Sequence, residues 1–126
     1  MQAADLLELR DDLSREMGRL EQLVKGLSQL EPRLGSTSET VEAAALRLHS
    51  FYTGVERMLL LVSRVVNGGT PSRGEGWPRH LVRNLYADEL RVEPIQRLLN
   101  QLQDTWPSLA ADIDRFQSWL TTVAAA

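Results

Sequence analysis

Apolar residues recur at three- and four-residue steps through most of the first 66 positions of the chain. The first segment covers about residues 3–31, with leucines at every seventh position: Leu6, Leu13, Leu20 and Leu27. This spacing predicts one long amphipathic helix. Heptad leucines are also typical of coiled coils. However, Gly18 and Gly26 each cost about 1 kcal/mol inside a helix, which favours packing within a bundle.

A second helix is predicted after a short break. Pro32 and Gly35 end the first segment, and three consecutive hydroxyl residues, Ser36, Thr37 and Ser38, are candidate N-caps for the next. The second segment places apolar residues on one stripe, which consists of Val41, Ala45, Leu48, Tyr52, Val55, Leu59, Val62 and Val66. We therefore expect it to be the central core helix.

The remaining residues predict shorter helices. A third helix is expected over about residues 78–88, and a fourth begins near Pro94. The fourth helix is expected to end at Trp106, Pro107 and Ser108, and a fifth helix is expected to follow. No alternating strand pattern is found. The sequence thus predicts a single all-α domain over residues 1–126, an antiparallel helical bundle of two long and two or three shorter helices.

Composition excludes several classes of function. The chain has no cysteine, so disulfide scaffolds, thiol nucleophiles and cysteine-ligated metals are excluded. It has two histidines, His49 and His80, and we expect neither a metal site nor a cofactor. The formal charge of −3 excludes binding of nucleic acid by bulk charge alone. No apolar stretch is long enough to span a membrane, and no signal pattern is found at the start, so we expect a cytoplasmic protein.

Polar side chains that can bind a ligand or transfer protons cluster on the predicted third helix. At about 100° per residue, one face carries Arg79, His80, Arg83, Asn84 and Tyr86, and the other face is apolar. Arginines can bind phosphate oxygens, an imidazole can transfer protons near pH 7, and a phenol can orient a substrate. A solvated helix face is the alternative interpretation. We expect His49, which lies beside the apolar stripe, to be a packing or hydrogen-bonding residue.

Two longer motifs resemble a known family. Residues 48–61 read LHSFYTGVERMLLL, and residues 79–90 read RHLVRNLYADEL; between them lie a Gly-Gly-x-Pro loop and Trp77. Together these segments resemble the HepT-like branch of the HEPN superfamily. The resemblance covers about residues 40–120.

The resemblance implies a fold, an activity and partners. Proteins of this family are helical bundles that dimerise, and many are toxins of toxin–antitoxin modules that cut RNA without a metal. The usual partner is a small nucleotidyltransferase of the MNT type, which can adenylylate the family's tyrosine. The resemblance therefore implies a homodimer that cuts RNA in a cleft composed of two copies. It matches Arg79, His80, Asn84 and Tyr86 to positions of the family's site, with Tyr86 as the modifiable tyrosine. Arg83 joins the candidate site because it lies on the same helix face.

The chain departs from the family pattern in two places. Asn84 occupies the usual histidine position, so either His80 supplies the acid–base group or the site is catalytically weak. An inactive, adenylylated or nucleotidyltransferase-binding protein is then the alternative function. The connection after Trp77 is also shorter than in the family. Either this chain has a deletion, or a stretch is absent between Trp77 and His80, in which case Arg79 can belong to the earlier helix.

Overall fold

The computed structural model describes residues 2–66 and 91–126, and every regular element in these two stretches is helical. Three long helices are present: α1 (Ala3–Leu30), α2 (Ser38–Val66) and α3 (Val92–Ala125). A short 3-10 turn, Glu31–Arg33, follows α1. The all-α class is confirmed. The predicted third helix, at about residues 78–88, lies outside the described residues.

The bounds of α1 agree with the sequence pattern. Asp5 accepts a hydrogen bond from the backbone N–H of Gln2 at 3.3 Å, which fixes the start of the helix. All four heptad leucines are buried in the core of the chain itself: Leu6, Leu13, Leu20 and Leu27. The prediction that α1 packs within a bundle is therefore confirmed.

The turn between α1 and α2 depends on one glycine and one threonine. Gly35 has a φ of +90°, and a Cβ there would lie 2.8 Å from a γ-carbon of Val92, so both conformation and space require glycine. Among the three candidate caps, Thr37 acts as one: its hydroxyl accepts the N–H of Thr40 at 3.3 Å. The Thr40 hydroxyl in turn accepts the N–H of Gly35 at 3.0 Å.

α1 and α2 run antiparallel and pack along their lengths. Near the middle of α1, Glu16 accepts a hydrogen bond from Nη1 of Arg57 at 3.0 Å. Near its end, the carbonyl of Gly26 accepts one from Nη1 of Arg47 at 3.4 Å. The residue number of the partner on α2 falls as the residue number on α1 rises. This is the order expected of antiparallel helices joined by a short turn.

α1 and α3 also run antiparallel. At one end of the bundle, Nε2 of Gln103 donates to Oε1 of Glu31 at 2.9 Å. Towards the other end, Nε2 of Gln117 donates to the hydroxyl of Ser14 at 2.6 Å. Because α2 and α3 are each antiparallel to α1, they are parallel to one another. They contact each other less than either contacts α1. The prediction that α2 is the central helix is therefore wrong for the described residues, in which α1 lies between the other two helices.

The core lies along α1 and draws on both of its neighbours. The largest fully buried side chains come from all three helices: Leu9, Leu13, Leu20, Leu27, Leu48, Ile95, Leu99 and Leu120. Where α2 meets α3, the rings of Phe51 and Trp106 make an edge contact with centroids 5.9 Å apart. Each fully buried Leu or Ile contributes about 1.5–3 kcal/mol to folding, so this core is the main source of stability.

The predicted break at Trp106, Pro107 and Ser108 is wrong. The predicted fourth and fifth helices are one helix, α3, with Pro107 in its interior. A proline there removes one intrahelical hydrogen bond, and its ring crowds the preceding turn. The helix continues because α1 packs against it on both sides of the proline, from Ile95 to Leu120, and this packing outweighs the local preference.

The predicted core stripe of α2 is wrong at Leu59. Its side chain is 54% exposed, and the neighbouring Met58 is buried instead. Leu46, another apolar residue of the same helix, is also exposed. The reason is geometric: α1 and α3 cover only part of the circumference of α2 in the described structure, so apolar residues elsewhere on the helix face outward.

The continuity of α3 makes a testable prediction. We expect Pro107→Ala to raise the free energy of unfolding by up to about 3 kcal/mol, because alanine restores the missing hydrogen bond inside the helix. The measurement is urea denaturation followed by circular dichroism. Pro94→Ala is the matched control: Pro94 lies in the first turn, where its missing N–H costs little, and its replacement should change stability far less. Equal effects of the two changes would mean that Pro107 also begins a helix.

Candidate functional site

The residues that the sequence singles out for chemistry lie outside the described structure. Arg79, His80, Arg83, Asn84 and Tyr86 all belong to residues 67–90, as does Trp77. Their proposed roles therefore stay predictions. A different cluster of charged and hydroxyl groups is found where α1 and α2 meet.

A groove of about 410 Å³, lined by charged, hydroxyl and apolar residues, lies between α1 and α2 and is here named the α1–α2 groove. The α1 wall consists of Glu16, Arg19, Leu20 and Leu23, and the α2 wall of His49, Ser50, Thr53, Gly54 and Arg57. Both sets follow helical spacing, with steps of one, three or four residues, so each forms one stripe of a helix surface. The antiparallel packing places Glu16 opposite Arg57 at one end of the groove.

Small residues on α2 allow the helices to approach and leave room for the groove. A Cβ at position 54 would lie 2.7 Å from Cδ2 of Leu20, a distance that side chains do not tolerate. It would also lie 3.6 Å from Oε2 of Glu16. Gly54 thus permits the close contact beside the charged end, and Ser50 and Thr53 continue the wall with short hydroxyl side chains.

Glu16 is the central charged residue of the groove. It is only 4% exposed, yet it lies on a helix stripe that is otherwise apolar. Nη1 of Arg57 donates to both carboxylate oxygens, at 3.0 and 3.2 Å. Arg19, one turn further along α1, also donates to Oε1. A buried carboxylate requires such partners, because an unpaired charge in the interior is costly.

Two arginines on one carboxylate leave this end of the groove with excess positive charge. The side chains of Arg19 and Arg57 are 64% and 51% exposed, so their guanidinium groups reach the solvent. A guanidinium carries five N–H donors, more than these contacts to Glu16 use. Groups of this kind recognise phosphate and carboxylate anions.

His49, Ser50 and Thr53 add neutral polar groups to the α2 wall. Ser50 is exposed, and His49 and Thr53 are half-buried. The interpretation of His49 as a packing or hydrogen-bonding residue stays a prediction. Glu16 is poorly suited to act as a general base, because both of its oxygens already accept hydrogen bonds from arginine. Anion binding is therefore the chemistry that this groove supports best.

A second, mainly apolar pocket of about 320 Å³ lies between α2 and α3. Its lining residues are Phe51, Tyr52, Val55, Gln101, Leu102, Thr105 and Leu109. None of these is charged at neutral pH. Burial raises the pKa of the Tyr52 phenol, so this group stays protonated well above neutral pH. Among its described lining residues there is neither an acid–base pair nor a charged anchor for a ligand.

The described stretches offer neither a metal site nor a membrane-spanning helix. In residues 2–66 and 91–126, no three or more histidine, cysteine or acidic side chains are grouped so that they can hold a metal ion. Among the described helices, none combines the length and apolar character needed to cross a membrane.

One feature of the sequence indicates this groove: a charged residue at a heptad position of α1 that is otherwise apolar. The buried positions of α1 alternate between two heptad positions, and Glu16 occupies one of them in the place of an apolar residue. A carboxylate at such a position demands a cation from a neighbouring helix. The position of Arg57 on α2 could not be matched to Glu16 without the register of the two helices.

The pairing of Glu16 with Arg57 makes a testable prediction. We expect Arg57→Ala to lower the free energy of unfolding by about 1–3 kcal/mol. This is less than the cost of leaving a buried charge without any partner, because Arg57 is half exposed and Arg19 still contacts Glu16. In a Glu16→Leu background, the same change should cost less than about 0.5 kcal/mol, since no buried carboxylate remains. Urea denaturation of the double-mutant cycle measures the difference.

Arg115→Ala is the control for this cycle. Arg115 is an exposed residue of α3 that pairs with Asp112 on its own helix, so its loss should have little effect in either background. An equal cost of Arg57→Ala with and without Glu16 would contradict the role given to the ion pair.

Comparisons with known proteins were made at the level of families, individual proteins and structures. No family model, no curated protein and no solved structure matches the chain. A functional assignment therefore depends on the residues themselves, on the resemblance of residues 48–61 and 79–90, and on the groove described above.

Proposed function

We propose that the chain is a HepT-like toxin of the HEPN superfamily, a homodimeric endoribonuclease that does not require a metal. The observation that carries this proposal is the pair of motifs at residues 48–61 and 79–90, which resemble the family in composition and order. An MNT-type nucleotidyltransferase is the proposed antitoxin. RNA is the proposed substrate.

The fold supports the proposal at a coarse level. The described residues form an all-α bundle, as proteins of the family do, and residues 48–61 lie within α2. In that segment Leu48, Phe51, Tyr52, Val55 and Met58 are buried in the core. These apolar residues of the motif therefore have a packing role. The proposal assigns the cleavage chemistry to the polar side chains within residues 79–86.

The proposed site divides the work among five side chains. Arg79 and Arg83 bind the oxygens of the scissile phosphate and stabilise the charge that develops there. His80 transfers a proton to or from the reacting oxygens. Asn84 and Tyr86 position the substrate through hydrogen bonds.

The local charge supports RNA as the substrate although the whole chain is acidic. Three arginines against one glutamate give residues 73–86 a net charge of +2, whereas the whole chain has −3. A homodimer in which two such segments face one cleft doubles this positive charge. Phosphate binding then depends on the local charge and not on the overall composition.

Cleavage of RNA tests the proposal. We expect the purified protein to cut a structured RNA in the presence of a metal chelator, and His80→Ala to lower the rate at least about 100-fold, as loss of a general acid or base does. Arg83→Ala should lower it as well, because it removes a phosphate contact. Gel electrophoresis of the RNA measures the rate.

Arg115→Ala serves as the control, since it removes the same charge from an exposed position of α3. Size-exclusion chromatography with light scattering tests the dimer in the same samples. Cleavage that persists undiminished in His80→Ala would remove His80 from the mechanism. A monomer would contradict the composite cleft.

A second candidate function is a catalytically inactive helical protein that docks an MNT-type nucleotidyltransferase or is adenylylated by it. Asn84 favours this candidate, because an amide in the usual histidine position cannot exchange a proton near pH 7. Modification would transfer AMP from ATP to the phenol oxygen of Tyr86 and release pyrophosphate. The added negative charge beside Arg79 and Arg83 would oppose RNA binding.

Mass spectrometry distinguishes this candidate. After incubation with ATP and an MNT-type nucleotidyltransferase, we expect one added AMP per chain. The addition should be absent in Tyr86→Phe and retained in Tyr52→Phe, because Tyr52 is a buried residue of α2 and the only other tyrosine. Modification without RNA cleavage at any protein concentration would favour the inactive protein. Unmodified Tyr86 together with cleavage would favour the nuclease.

A further inference from the structure

We propose that the α1–α2 groove is a second RNA-binding site, where Arg19 and Arg57 contact phosphates of the RNA backbone. The choice of RNA as the polyanion rests on the proposed function. The groove itself rests on the geometry of α1 and α2. The described residues that line it belong to α1 and α2, and Arg19 and Ser50 can be replaced without changing residues 79–86, so the two sites can be tested separately.

The first argument is that the two guanidinium groups are held in place before any ligand binds. Both donate to the buried carboxylate of Glu16, one from α1 and one from α2. Long arginine side chains lose much rotamer freedom when they bind a ligand, and this cost is smaller when a partner already fixes them. Because both side chains are more than half exposed, an anion can approach them from the solvent.

The second argument is the charge balance of the groove. Among the described lining residues, Glu16 is the only acidic one, against two arginines. These described residues together therefore carry one excess positive charge. The hydroxyls of Ser50 and Thr53 on the α2 wall are neutral donors of the kind that contact phosphate oxygens. Leu20 and Leu23 form an apolar part of the opposite wall.

The third argument is the distance between two arginines along α2. Arg47 lies ten residues before Arg57 on α2, about 15 Å away at 1.5 Å per residue. Its guanidinium donates to the neutral carbonyl of Gly26, so this contact leaves its charge uncompensated. Positive groups thus occur at two places along the contact between α1 and α2. An extended chain with repeated charges fits this spacing better than a single small anion.

A backbone phosphate contact fits these groups better than base recognition does. Arginine and hydroxyl contacts to phosphate carry no sequence information, but they fix the position of a strand. The groove would therefore hold RNA while cleavage takes place elsewhere. Its loss should weaken binding of all sequences about equally.

Fluorescence anisotropy with a fluorescein-labelled single-stranded RNA tests the proposal. The parent protein carries His80→Ala, so the RNA stays intact if the proposed nuclease activity exists. We expect Arg19→Ala to weaken binding about tenfold at low salt and to reduce the slope of log K against log salt by about 1. Arg19 is the better choice than Arg57, because Arg57 still compensates Glu16 after the change.

Ser50→Asp is a second, independent variant. It adds a carboxylate to the exposed wall of the groove without removing any arginine, and it should weaken RNA binding to a similar extent. Arg115→Ala and Ser118→Asp are the matched controls, because they make the same changes at exposed positions of α3. Circular dichroism confirms that each variant is folded.

The outcomes separate this proposal from the nuclease proposal. Loss of binding in Arg19→Ala and Ser50→Asp, with both controls unchanged, supports the groove whether or not the wild-type protein cuts RNA. Equal binding by all variants, equal loss in variants and controls, or absence of RNA binding by the parent would overturn it. Groove-dependent binding of polyglutamate without binding of RNA would also overturn it, since the partner would then be an acidic peptide.

Discussion

The buried carboxylate of Glu16 is the interaction on which the arrangement of α1 and α2 depends. It lies on the core stripe of α1, where an unpaired charge would be strongly destabilising. Arg19 on the same helix donates to Oε1, and the native register of α1 and α2 adds Arg57, which donates to both carboxylate oxygens. A shift by one turn would move Arg57 by about 5.4 Å along the helix and leave the carboxylate without that partner. Gly54 then completes the fit, because it lets Leu20 approach the backbone of α2.

The central position of α1 explains why the rest of the bundle tolerates local irregularities. Both neighbours pack against it, so each is held along its length and not only at its ends. For α3 the contacts begin near Glu31 and reach beyond Ser14. A helix held in this way keeps its course through Pro107, because bending it would separate apolar surfaces on both sides of the proline. Tertiary packing therefore determines that the helix continues through Pro107, although local preference predicts that it ends there.

These features show how far the sequence alone can lead. The helical class, the bounds of α1 and α2 and the burial of the heptad leucines follow from periodicity, which is a property of one segment at a time. The exposure of Leu59 and the course of the chain at Pro107 depend on which neighbour covers which face, and no single segment contains that information. Glu16 is only partly predictable from the sequence. Its heptad position indicates a buried charge, but its partner Arg57 is 41 residues away, and only the packing of α1 against α2 identifies that partner.

The same ion pair connects stability with function. Replacing a buried ion pair by apolar residues is often neutral or stabilising, so stability alone gives little reason for Glu16 to occupy a core position. A carboxylate there does something that leucine cannot: it fixes two arginines from different helices at one end of a groove that reaches solvent. Fixed guanidinium groups bind an anion at a lower entropic cost than mobile ones. The carboxylate of Glu16 therefore has two consequences: it favours one register of α1 and α2, and it holds two arginines where the proposed anion site requires them.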